Sequence, residues 1–485
     1  MLIRTNNFAD MCKTGFNSSS VLAVLFALLL FSACEQGNQK GDAFFGGEIL
    51  NPKTSNVYIY RDGEPVDTLE LSEDSKFELE FHNIKTGMYS FMHGNEYQLA
   101  IVAPGDSIVM RVNTIDFDQS LVYMGEGAKK NNFLVQLFLE MEQESKSMFD
   151  ISKISPELFV RHLDSLESEK KKRLNNFLKR NKQSEVFSDL VSAGIKYNYG
   201  AMREAYPFRH FTTLNRAALE QLPPNYFAFR EGLNYNDSSL AHFHHYYNFL
   251  FPHFNTLALQ KLVEQEPNLP VNQQTRDFYL TKLGFMDTMI TDPVIKNNIL
   301  KYTTKSLLSN AKNTEQQEDI LQFFYNHSKS DADKTYMANW YASITKIRAG
   351  QRFPEIEVID TKGKTLNIHQ LFDKATVCTF WSTNAKSHFE NSHERLAYLR
   401  QTFKQINFIS INTDSDNEED WVSFLRAPNV VSDTEYRFRD PEAAKKILAL
   451  HNVNRVMLID KDGNVSQPNA NLFSRKFNLN LNKLQ

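Results

Sequence analysis

The chain has 485 residues, 41% hydrophobic and 12% aromatic with 38 phenylalanines, enough to bury several cores; at roughly 100–200 residues per domain, about three domains are expected. Its formal charge of −4 and its scattered basic residues, clustered only in the short run from Glu169 to Arg173, give no footprint for nucleic acid. Its 18 glycines form no phosphate loop, and no Ser-His-Asp order is visible, which removes nucleotide hydrolysis and serine-type acyl transfer as expectations.

The first residues differ in kind. Arg4 and Lys13 precede the apolar run "VLAVLFALLLF" from Val21 to Phe31, and "SAC" follows at once, ending in Cys34. Eleven apolar residues are too few to span a bilayer, and small residues before a cysteine fit a cleavage site, so residues 1–33 read as a secretory signal. The "FSAC" ending resembles a bacterial lipobox. That resemblance implies a lipid on Cys34, a tether over 34–42, a membrane partner through the lipid, and a place in the cell envelope, on the periplasmic face or the cell surface. An ordinary signal peptide cut nearby, or an uncleaved anchor, is the alternative. Of three cysteines, Cys12 goes with the leader and Cys34 carries lipid, so Cys378 alone remains and no disulfide forms within the mature chain. Packed cores, not cross-links, must hold an exported chain of this kind.

Over 43–127 the pattern is one of short strands. "NVYIYRDGEPVDTLEL" alternates on both sides of Asp62-Gly63, a two-residue hairpin signal in which both central residues need positive φ. In "KFELEF" Phe77, Leu79 and Phe81 share a face, and "GMYSFMHG", "YQLAIVAPGDSIVMRV" and "LVYMGEG" continue the series. A β sandwich-like domain is expected. The phrases "PVDTLEL", "APGDSIVM" and "GEGAKKNNFL" resemble the N-terminal β domain of unknown function that precedes thioredoxin-like domains in envelope lipoproteins.

Over 128–349 the period becomes helical. Ser155-Pro156 places a capping residue before a first-turn proline, with Phe159, Leu163 and Leu166 following on one face. Asp292-Pro293 repeats the device ahead of Ile295 and Ile299. The aromatic stretch "FHHYYNFLFPHF" is only loosely periodic. His242 and His245 within it stand one helical turn apart, but with no third ligand they read as an amphipathic face and not as a zinc site.

From 350 to 485 strands and helices alternate. "EIEVIDTKGKTLNIHQLF" gives a strand, a turn at Lys362-Gly363 and a short capped segment; "ATVCTFW" is a buried strand, "SHFENSHERLAYLRQTF" a helix, "INFISINTD" a strand. "EEDWVSFLRA" and "DPEAAKKILALH" are helices, the second opening on Asp440-Pro441, and "RVMLIDKDGNV" is a hairpin turned at Asp462-Gly463. A small mixed sheet flanked by helices follows. The whole chain is thus multidomain α+β, with a C-terminal α/β part. Order and lengths here resemble the thioredoxin fold, specifically the membrane-tethered thiol-disulfide oxidoreductases and their peroxiredoxin-like relatives.

In that family an aromatic pair ends the strand and Cys-x-x-Cys opens the helix. Placed on "FWSTNAKSH", Phe380 and Trp381 match, Asn384 replaces a second tryptophan, Ala385 takes the nucleophile position and His388 the resolving position. The family's cis-proline position falls on Asn454. Exchange needs a thiolate at the first position and a second thiol to break the mixed disulfide, and an alanine methyl supplies neither. The resemblance therefore implies a redox-inactive member with a binding or assembly role and no cofactor or metal. A peptide or protein partner would lie along a groove near Trp381, Asn384, Lys386, His388 and Asn454. The bland reading of His388, and the favoured one, is a surface or capping histidine. The competing expectation is an oxidoreductase or peroxiredoxin-like enzyme using Cys378 or a partner's thiol. Cys378, inside a buried strand, reads as a small hydrophobe.

Overall fold

The computed structural model describes residues 40–485 apart from 95, 384, 415–417, 451, 475, 476 and 485. The leader, Cys34, most of the tether and Asn384 lie outside the described residues. The chain divides into two compact units, residues 1–139 with 173–192, and residues 140–172 with 193–485.

The first unit holds eight strands in two sheets among its described residues. They are β1 (Gly41–Leu50), β2 (Asn56–Arg61), β3 (Glu64–Glu70), β4 (Lys76–Ile84), β5 (Gly87–His93), β6 (Glu96–Val102), β7 (Ser107–Asn113) and β8 (Val122–Glu126). The sheet orders are β4-β1-β7-β8 and β3-β2-β5-β6. β1 starts two residues inside the segment read as tether, because Gly41 pairs with Ile84 and the Asp42 carboxylate accepts the Asn83 N–H at 2.9 Å. Asp62 and Gly63 have φ of 52° and 79°, the two positive values a tight β2–β3 hairpin requires. Phe45, Phe77 and Phe81 from one sheet and Ile59 and Phe91 from the other form a single buried cluster, with Phe45 ring centroids 5.9 Å from both Phe77 and Phe91. Alternation along each strand thus delivers one apolar face per sheet to a shared core, each large side chain contributing about 1.5–3 kcal/mol on burial.

β1 and β7 pair in parallel, Phe44 against Ser107, a long-range register that local alternation does not specify. Two of the sequence phrases meet beside it. Asp106 accepts the Ala103 N–H at 2.7 Å and the Lys130 ammonium, both residues being buried. Asn131 exchanges two hydrogen bonds with the Ile101 backbone, and Asn132 two with Tyr123. A Cβ on Gly125, whose φ is +88°, would stand 2.1 Å from the Ser107 carbonyl oxygen. "PGDS" and "GEGAKKNN" are therefore two halves of one polar clasp that closes the β sheet onto the start of the following helix.

Three helices contribute residues to both units: α1 (Ala128–Lys146), α2 (Pro156–Arg180) and α3 (Glu185–His210). The second unit continues with α4 (His244–Gln265), α5 (Arg276–Met289), α6 (Pro293–Asn310), α7 (Thr314–His327) and α8 (Asp331–Lys346). Both Xaa-Pro starts fall where the sequence puts them. Ser155 Oγ accepts the Leu158 N–H at 3.4 Å, and Asp292 accepts from Val294 and Ile295 at 3.0 and 2.9 Å. His242 lies in a turn before α4, not on it, so the one-turn relation to His245 does not hold. Within this unit Glu204, wholly buried, accepts two hydrogen bonds from Arg230 at 2.7 and 2.6 Å and lies 2.6 Å from His253 Nδ1.

The rest of the unit is a seven-stranded sheet. β9 (Glu357–Asp360) and β10 (Thr365–Asn367) form a hairpin turned at Gly363, followed by β11 (Thr376–Trp381), α9 (Lys386–Thr402), β12 (Asn407–Asn412), α10 (Glu418–Phe424), β13 (Glu435–Phe438), α11 (Pro441–Ile447), the β14 (Val456–Ile459)–β15 (Val465–Ala470) hairpin and α12 (Phe477–Leu484). The order is β10-β9-β13-β12-β11-β14-β15, with β11, β12 and β13 parallel and the flanking strands antiparallel. β13 is an addition to the strands readable from sequence. Only four residues long, it lacks an alternation strong enough to announce it, and it is made by its neighbours on either side.

Candidate functional site

Every residue of β11 is buried, because β12 and β14 cover both edges and helices cover the faces. Cys378 pairs with Ile409 and Met457 and has no exposed surface; burial in this apolar layer pushes its thiol well above the ordinary range. It is the free cysteine among the described residues.

Past Trp381 the chain leaves the sheet and makes a fixed loop. Thr383 donates its N–H and its hydroxyl to Asp414 Oδ2 at 2.7 and 3.0 Å, and Asn412 Nδ2 donates to the same oxygen at 3.0 Å. The Thr413 N–H donates to the Trp381 carbonyl at 2.9 Å, so the ends of β11 and β12 are tied together. The Ala385 N–H donates to the Ser382 carbonyl at 3.1 Å, and α9 begins at the next residue with no side-chain cap from Ala385. α9 thus starts from a residue whose methyl offers no cap, with an exposed Lys386 in its first turn.

His388, one turn into α9, is half-buried and not the surface or capping residue of one reading. Its Nε2 lies 3.3 Å from Ser392 Oγ, and its Nδ1 is buried without a hydrogen-bond partner. Burial, followed by the neighbouring His393, lowers its pKa below the ordinary 6.5, so the neutral ring is favoured.

Trp381 requires a correction. As a candidate wall of an open groove it needed exposure, and it is only 1% exposed. Its ring packs against Phe389 of α9 at 4.6 Å and Phe424 of α10 at 5.7 Å, because residue 381 faces the side of the sheet that both helices cover. Its indole N–H donates to Glu435 Oε2 at 3.2 Å. Glu435 Oε1 lies 3.1 Å from His393 Nε2, and His393 Nδ1 lies 2.8 Å from the Phe389 carbonyl oxygen. Glu435 and His393 are 0% and 1% exposed. Ser410 Oγ, 3.4 Å from the same His393 Nε2, completes the cluster. Burial lowers Arg400, against the opposing pull of the Glu435 charge.

Asn454 is exposed, and its N–H donates to Asn452 Oδ1 at 3.1 Å. Because β14 runs antiparallel to β11 with Val456 opposite Thr379, the chain approaches β14 at the end of the sheet where β11 finishes, the end that carries Ala385. The structure thus gathers Ala385, Lys386 and His388 at one helix start and puts Trp381 beneath them. It adds Glu435, His393 and Asp414, which sequence reasoning missed. Glu435 lies in the strand that was not legible. Among the described residues no three His, Cys, Asp or Glu side chains converge on a metal-sized site, and no helix is long and apolar enough to cross a membrane.

No family model matches the chain, and no curated protein matches it. Solved structures do. A putative thiol-disulfide oxidoreductase from Bacteroides vulgatus is 22% identical, with a TM-score of 0.27 over 29% of this chain and 99% of its own. A thioredoxin-like protein from Bacteroides caccae is 14% identical, with a TM-score of 0.35 over 53% of this chain and 90% of its own. A putative thiol:disulfide interchange protein from Chlorobium tepidum is 16% identical, with a TM-score of 0.24 over 28% of this chain and 95% of its own.

Proposed function

We propose that the chain is an exported lipoprotein in three parts, a β domain, a helical region and a thioredoxin-like C-terminal domain, whose last part binds a partner and does not exchange thiols. One observation carries this reading. Cys378 is enclosed between two paired strands, while the positions at the helix start that need sulfur hold Ala385 and His388. The Cys34 lipid and the envelope location rest on the leader and the sequence before Cys34. The partner would be an extended peptide or protein segment, held at the start of α9 by first-turn N–H groups and Lys386, with Asn454 at the same end of the sheet.

The competing enzyme reading would require Cys378 to meet an outside thiol or peroxide. Thiolate chemistry needs access and a lowered pKa, and burial works against both. The test is insulin reduction by the purified chain beside its Cys378→Ser variant, together with labelling of Cys378 by a water-soluble thiol reagent. No turnover, and labelling only on unfolding, is expected. Turnover lost in the serine variant, or fast native labelling, would establish the enzyme instead.

A further inference from the structure

The helical region carries a second feature that the thioredoxin-like reading does not use. A cavity of about 600 Å³ lies between the end of α3, α4, α5, the end of α6 and the loop over 270–274. Phe208, Phe211, Phe278 and Tyr279 supply an aromatic wall, and the other half of the lining is polar, with amides from residues 255, 272–274 and 310 and hydroxyls from 212 and 213. The charged residue in the lining is Lys282; no Asp, Glu, Arg or His is present there.

Lys282 lies one turn beyond Phe278 on the buried face of α5, beside Leu283 and Met286, and is 8% exposed. It has no hydrogen-bond or ion-pair partner among the described residues. Other buried cations of this unit are paired: Lys170 with Glu140 and Glu144, Arg203 with Asp164 and Glu167. Arg455, also buried, donates to the carbonyls of Pro468, Leu448 and Ala449. The Lys282 stem is buried while no protein acceptor meets its ammonium, which opens on a cavity large enough for a small ligand. Burial alone brings its pKa down to about 8, with no charged neighbour named in the shift, so the amine is still mostly protonated at neutral pH.

We infer that this cavity is a binding site for a small organic monocarboxylate with an apolar body, the carboxylate meeting the Lys282 ammonium and the body lying against the aromatic wall. The chemistry follows from complementarity. One fixed positive charge without a counter-charge selects one negative charge, and the four aromatic rings beside it offer an apolar body a face to lie on, while the amides and hydroxyls around them carry no second positive charge. The site is in the helical region and stands or falls independently of the state of Ala385 and Cys378.

Decanoate is the probe, titrated calorimetrically into the full chain. Saturable one-to-one binding is expected, with decan-1-ol weaker by about tenfold or more, since a hydrogen bond to a charged group is lost. Lys282→Met should lose a similar factor and Lys282→Arg should retain most of the affinity. As a measurement that needs no variant, decanoate should protect Lys282 from acylation by an N-hydroxysuccinimide ester, read by peptide mass spectrometry, while exposed lysines such as Lys386 react unchanged. Absence of saturable binding, equal affinity for the alcohol, an unaffected methionine variant, or no protection of Lys282 would each overturn the inference.

Discussion

Replacing Glu435 separates hydrogen bonding from charge in the cluster beneath Trp381. In Glu435→Ala the Trp381 indole N–H loses its partner in a fully buried place, and His393 Nε2 keeps only the longer contact with Ser410 Oγ at 3.4 Å. An unsatisfied buried donor costs about 1–3 kcal/mol, and removing one member of a buried pair costs about 3–5 kcal/mol in all. Glu435→Gln is different. The amide oxygen can still accept the Trp381 N–H, and the amide N–H can donate to His393 Nε2 while the Phe389 carbonyl holds the proton on Nδ1. Every bond survives with a neutral ring, so the glutamine variant should lie within about 1 kcal/mol of the parent. The assay is denaturant unfolding followed by tryptophan fluorescence, because two of the three tryptophans, Trp381 and Trp421, belong to one buried cluster there. Trp381→Phe, which deletes the indole N–H, should also shrink the alanine penalty, with a coupling of about 1–2 kcal/mol in a double-mutant cycle. Should glutamine prove as damaging as alanine, the cluster depends on the carboxylate charge and the hydrogen-bond accounting is wrong.

Gly125→Ala should destabilise the first unit by about 2 kcal/mol or more, since its Cβ would meet the Ser107 carbonyl at 2.1 Å at a φ that L residues avoid; a thermal scan showing no loss would contradict the clasp geometry. Glu204→Ala removes the carboxylate that Arg230 and His253 share, leaving Arg230 with Gln260 and His253 with Tyr235, and should cost about 3–5 kcal/mol, read by urea unfolding with far-UV circular dichroism. A change under about 1 kcal/mol would show that the pair is solvated. For His388 the folded pKa is depressed below the unfolded 6.5, so the unfolded chain binds more protons and stability falls as pH drops below 6.5 toward the folded value. His388→Asn should flatten that acid limb, and an unchanged slope in unfolding free energy against pH would refute the assignment.

Much of the local architecture could be read directly because its cause is local. Asp292-Pro293 and Asp440-Pro441 start helices through a side-chain oxygen and a preset φ, and both do so here. Asp62-Gly63 makes its hairpin because both residues tolerate the left-handed region. The run "ATVCTFW", free of charge and rich in β-branched and aromatic residues, announces a strand covered on both faces, which accounts for the state of Cys378. The lack of sulfur at residues 385 and 388 is a property of the chain itself.

Other features depend on residues far apart in sequence. Glu435 meets Trp381 and His393 because β13 joins β12 in parallel register, Ser410 beside Glu435, and a four-residue strand is held by its neighbours more than by its own pattern. Trp381 was placed at a groove wall by its neighbours in sequence; the packing of α9 and α10 across that face puts it inside. Lys282 reads as one polar residue on an amphipathic helix. It becomes a buried unpaired charge only because α3, α4, α6 and an intervening loop close around it without bringing an acid. The order of residues settles which backbone conformations and which reactive atoms are available; the fold alone decides which polar groups lose water and which partners they then find, because desolvation is a property of three-dimensional enclosure.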